Sequence, residues 1–156
     1  MNYSSELKKF LTSQYIYSGA RIALAIVVPS IILAQFGLLK EYFLFPLGTS
    51  FVGLTDQPGP FIRRRNTLLL SVFFFFFIAL FASLVKDFPI AVYLEIIVCG
   101  FFFSMIGVYG LRLATFGSLA LVVLSIFIDG HLTGDDIFKS SFIFFLGCLW
   151  FFIIFM

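Results

Sequence analysis

Three consecutive arginines, Arg63, Arg64 and Arg65, stand in a sequence with few charges, and Arg21 and Arg112 join them as cations flanked by apolar residues. A guanidinium presents its donors in a rigid fork that matches a carboxylate with two parallel hydrogen bonds, so such a cluster suits the capture of an organic anion. The same residues also suit a plainer role. Arginines at a membrane edge fix topology and contact anionic lipid headgroups, at about 1 kcal/mol each. The three arginines end the segment LTDQPGPFIRRRN at 54–66, whose Asp56 is placed to pair with one of them and orient it.

Glu95 is the one carboxylate inside an apolar run, and an ionisable group at membrane depth is a functional candidate by default. It stands about 9 Å from the outer end of its helix, so snorkelling to the interface is the alternative to carrying a proton in exchange for substrate. The only histidine, His131, lies in DGHLTGDD with Asp129, Asp135 and Asp136. Without a second histidine this segment reads as a solvated connector rather than a metal site. Cys99 and Cys148 both fall within apolar runs and suggest neither a disulfide nor a metal. No nucleophilic triad, glycine-rich phosphate loop or pair of catalytic carboxylates can be assembled, which points away from an enzyme and from a cofactor. A net charge of +2 argues against nucleic acid as a partner.

The elements that must hold these groups follow from composition. Hydrophobic residues make up 62% of the 156 residues and charged residues 12%, against about 45–50% and about 25% in a soluble domain. Apolar runs near the ~20 residues needed to cross a bilayer predict an all-α integral membrane bundle. The runs lie at about 16–39, 41–55, 67–85, 89–108, 112–128 and 141–156, which makes six spans. The second is short and carries Gly48, Thr49, Ser50 and Gly53, leaving a tilted, kinked or partly re-entrant helix open.

Charge sets the orientation. With the N-terminus cytoplasmic, Lys8, Lys9, Arg21, Arg63, Arg64, Arg65 and Arg112 lie inside, while Lys40, Lys86 and Lys139 lie outside, as the positive-inside rule asks. Residues 1–15 read as an amphipathic interfacial lead-in to a single membrane domain over 16–156. Pro29 predicts a kink near Ala25, whose carbonyl loses its usual helix donor. The stripes Gly100, Ser104, Gly107 and Ser30, Ala34, Gly37 predict close packing of the fourth and first helices. The 25 phenylalanines, five of them consecutive at 73–77, serve as lipid-facing filler or line a path for aromatic solutes.

Within the polar segment, Pro58 and Gly59 suit the centre of a type II turn, and Pro60 prevents the chain from running straight between two helices. Asn66 suits the N-cap of a helix starting at Thr67. The arginines then alternate along an extended segment or, if the helix starts earlier, fan around its first turn.

Thr55, Asp56, Pro58, Gly59, Pro60, Arg64, Arg65 and Asn66, together with LTSQYIYSGAR at 11–21, resemble the fusaric-acid-resistance-like (FUSC) family of bacterial inner-membrane proteins, in particular its YccS-like branch. The resemblance covers the first two spans and the loop, and the later spans only in pattern. It implies a multi-pass protein of the bacterial cytoplasmic membrane that exports organic anions such as aromatic carboxylic acids, since characterised relatives do so and distant plant relatives conduct organic anions. It further implies that the chain is an N-terminal membrane half, completed by a C-terminal half. An isolated half would instead pair with a second copy in a homo-oligomer, and the arginines make membrane lipids the other partners. Arg63 departs from the histidine expected at that position in relatives. A passive anion channel and a non-transporting membrane scaffold are the alternatives.

Overall fold

The computed structural model describes residues 14–57, 59–129 and 137–156. Nearly all of the lead-in at 1–15, Pro58 with the turn expected on it, and His131, Asp135 and Asp136 lie outside this set. The described residues form α1 (Gln14–Gln35), α2 (Leu44–Leu54), α3 (Phe61–Val85), α4 (Pro89–Ile106), α5 (Leu111–Asp129) and α6 (Ile137–Phe155), with a 3-10 turn, Gly107–Tyr109, extending α4. All are helical, with no strand among the described residues. All but α2 are long and apolar enough to cross a membrane, which makes the chain a multi-pass membrane protein by length and composition.

The second apolar run gives a helix of 11 residues. At ~1.5 Å per residue it covers about 16 Å, roughly half of the hydrocarbon thickness. It is therefore no full span.

The termini show how local chemistry sets these lengths. The first helix stops at Gln35, short of 39, because Gly37 takes the left-handed conformation (φ 68°) that glycine adopts without a Cβ penalty. The amide of Leu38 then donates to Leu33 and that of Gly37 to Ala34, closing a Schellman motif. At α4, Phe88 is extended and Pro89 occupies the first turn, where its missing N–H costs nothing. The third helix starts at Phe61, so Asn66 is no N-cap and the arginines fan around the first turns of α3. The cap is Pro60, with φ −57° and ψ 137°, whose carbonyl accepts the Arg64 amide at 3.1 Å. Arginine is a good helix former, and nothing after Pro60 delays the helix.

The helices pack in the order α1, α2, α6, α3, α5, α4, each chiefly against its neighbours in that series. The most deeply embedded are α3 and α6, and the least are α1 and α4. Successive contacts fix the directions. Phe61 stacks on Phe155 and Phe76 packs on Phe145, so α3 and α6 are antiparallel. Lys139 meets Glu41, and Gly147 meets Phe45 and Thr49, so α2 and α6 run parallel. The phenylalanine run divides by helical geometry: Phe75 is fully buried and stacks on Phe116 at 5.3 Å, while Phe73 and Phe77 face outward.

The small-residue stripes do not make the close contacts expected of them. Ser104, Ala34 and Gly37 are exposed, and nothing lies within 4 Å of a Cβ added at Gly100. Tight packing falls instead on Gly117 of α5, against the Phe103 carbonyl of α4, and above all on α2 and α6. A Cβ at Gly147 would collide with the Phe45 carbonyl, and one at Gly48 with the Phe144 carbonyl. Backbones brought this close allow the buried Thr49 hydroxyl to lie 3.0 Å from both the Phe45 and Gly147 carbonyls. In lipid such packing, rather than hydrophobic attraction, holds helices together.

Candidate anion-binding mouth

The ends of the helices separate the charges. Arg21, Arg63, Arg64, Arg65 and Arg112 gather at one end with a single described acid, Asp56. Lys40, Lys86 and Lys139 lie at the other with Glu41, Asp87 and Asp129. One end is thus strongly cationic and the other balanced.

Asp56 pairs with Arg64. The guanidinium donates from Nε to Oδ1 at 2.8 Å and from Nη2 to Oδ2 at 2.5 Å, and the carboxylate is wholly buried. This fork-to-fork geometry fixes the start of α3 against the end of α2. The Arg64 guanidinium also lies 5.1 Å from the centre of the Phe155 ring, and Arg21 lies 5.5 Å from the same ring. Both contacts are of the cation–π type and anchor the last turn of α6. Thr55, buried at the end of α2, donates its hydroxyl to the Val52 carbonyl and caps the helix locally.

Arg63 and Arg112 occupy a different setting. Together with Gln57, Asn66 and Tyr109 they border a cavity of about 660 Å³ at the arginine end. Arg63 is exposed and makes no ion pair with a described carboxylate. Gln57 is held by a bond from its Nε2 to Thr115 Oγ1 at 2.9 Å. Arg112 crosses directly over Gly59, where even a methyl group would strike its guanidinium. Glycine at 59 therefore leaves the space in which this arginine rests.

The five arginines thus divide. Arg63 and Arg112 border the cavity, Arg64 is committed to Asp56, Arg21 joins Phe155, and Arg65 buries an Nε that has no partner among the described residues. Asn66 enters the site as a cavity wall. Nothing in the local sequence pattern marks Tyr109 or Gln57 as cavity residues, although Gln57 stands inside the polar segment. Glu95 does not join the mouth: it precedes Gly107 by twelve residues, about 18 Å along the helix. Two guanidinium groups on one cavity, with amide and phenol donors beside them, can hold a carboxylate and reject a cation.

At the opposite end Lys139 Nζ meets Glu41 at 2.7 Å with both side chains about half exposed, a pair of little energetic weight. No metal-binding group of histidine, cysteine and acid residues occurs among the described residues. No family model, curated protein or solved structure matches the chain.

Proposed function

We propose that this membrane protein passes organic anions, aromatic carboxylates among them, from the cytoplasm across a bacterial inner membrane. The observation that carries the reading is the 660 Å³ cavity bordered by Arg63 and Arg112. Its volume lies within the ~300–1,000 Å³ of small-molecule sites. Concentration of arginine at this end supports a cytoplasmic mouth and an N-terminus on the same side. The resemblance of the polar segment to the FUSC family supports export rather than uptake. Arg63 and Arg112 gather the anion, Tyr109 offers an aromatic wall, and the Arg64–Asp56 pair sets the position of the α3 turn that carries Arg63.

Flux of benzoate-type anions from vesicles containing the full-length protein tests this. Arg63→Ala together with Arg112→Ala is expected to raise the half-saturating concentration about tenfold or more, since each removes a charge-assisted contact. Undiminished flux in that double variant rejects the site. Gly59→Ala displaces the Arg112 guanidinium and is expected to weaken anion binding several-fold, about as Arg112→Lys does, while leaving the melting temperature unchanged. Flux that is indifferent to Glu95→Gln assigns a passive channel, and flux that loses its dependence on a proton gradient in that variant assigns a coupled pump.

A further inference from the structure

A second site lies on the outer face of the bundle, remote from the arginines. Between α3 and α4 a groove of about 320 Å³ is walled by Phe74, Phe77 and Phe81 on one side and Phe102 and Phe103 on the other. Its base is braced by Phe116 of α5, on which Phe74 and Phe103 both pack edge-on, at 5.8 and 6.2 Å. Glu95 lines this groove and is 95% buried, and its Oε2 has no hydrogen-bond partner among the described residues.

The surroundings define what would satisfy that carboxylate. No basic residue lines the groove. An unpaired carboxylate at membrane depth is costly, so Glu95 is either protonated or paired with a cation, and no groove residue supplies that cation. An inorganic cation would need several oxygen ligands, whereas the remaining lining groups are apolar apart from the thiol of Cys99. Phenylalanine faces attract cations, and more strongly where water is excluded. The rims of the groove, Phe77, Phe81 and Phe102, are more than half exposed on a surface that meets lipid, so a ligand enters from the hydrocarbon and must be soluble in it.

We propose that this groove binds a lipophilic organic cation, of the bulky aromatic or alkyl ammonium and phosphonium class, with Glu95 as counter-ion and the phenylalanines as its walls. The site is independent of the anion mouth, and its ligand has the opposite charge.

The test is binding of radiolabelled tetraphenylphosphonium to the full chain in neutral-lipid nanodiscs, with tetraphenylborate as a probe of matching shape and reversed charge. Wild-type protein is expected to prefer the cation, and Glu95→Gln to weaken its binding about tenfold or more while Glu95→Asp retains part of it. Arg63→Ala with Arg112→Ala is expected to leave it unchanged, which separates this site from the proposed anion mouth. Wild-type protein gives a second readout, because Cys99 lines the groove whereas Cys148 is fully buried. Tetraphenylphosphonium should slow maleimide modification of Cys99 and tetraphenylborate should not. Equal binding of the two probes, equal affinity in wild type and Glu95→Gln, or unprotected Cys99 overturns the proposal. Cross-linking of two copies through Cys99, unaffected by the cation, also overturns it and assigns the groove to a second copy of the chain.

Discussion

Asp56→Ala is expected to cost about 3 kcal/mol or more, the usual consequence of removing one member of a buried ion pair. The carboxylate has no exposure and accepts two donors from Arg64, whose own side chain keeps only 17% of its surface. Removing it leaves a guanidinium facing a void at the junction of α2 and α3, with the Phe155 ring as partial compensation. The value therefore falls near the lower end of the ~3–5 kcal/mol range for buried pairs. Arg64→Ala strands the carboxylate instead, which is the more deeply buried partner, and should cost at least as much. The double variant should be less damaging than the sum of the two, because neither charge is then left alone. Unfolding in a graded detergent mixture reads all three. Single variants that both fall within about 0.5 kcal/mol of wild type would show the pair to be an ordinary surface contact.

The second large effect belongs to Gly147. In Gly147→Ala the new methyl meets the backbone carbonyl of Phe45, which cannot swing aside as a side chain can. Relief requires α2 and α6 to separate, which loosens the ring contacts between Phe45 and Trp150 and between Phe51 and Phe144, and the bond from Thr49. A loss of about 3 kcal/mol or more is expected, at the upper end for overpacking. Gly48→Ala should behave alike, since its methyl meets the Phe144 carbonyl. The control is Gly100→Ala, where nothing stands within 4 Å and alanine is the better helix former. That variant should be neutral or slightly stabilised. If Gly147→Ala and Gly100→Ala unfold at the same point, the α2–α6 contact is not the seam of the bundle.

These two glycines mark the boundary of what could be read in advance. Gly100 and Gly107 belong to a small-residue stripe at helical spacing, yet α4 buries only Glu95 and Phe103. Spacing along one helix tells which residues share a face, and it carries no information about which face meets a neighbour. Asn66 failed as a cap for a related reason. Asparagine is favoured at N-caps, but Pro60 had already bent the chain and Arg63 to Arg65 propagate a helix readily. Asp56 was expected to pair with an arginine, and only the folded chain singles out Arg64 from three consecutive candidates, since the helical turn of about 100° per residue sends each in a different direction.

The membrane class, the all-helical fold and the concentration of arginine beside one polar loop are legible in composition and run length. Composition and run length act locally, because every backbone group in hydrocarbon must be satisfied within its own helix. Helix packing sets the rest: α2 stops at 11 residues, Arg63 and Arg112 border one cavity while Arg64 does not, and Glu95 faces phenylalanines from two helices. Those outcomes depend on which helices lie side by side. Here that order, with α6 between α2 and α3, follows from complementary shape between residues almost a hundred positions apart.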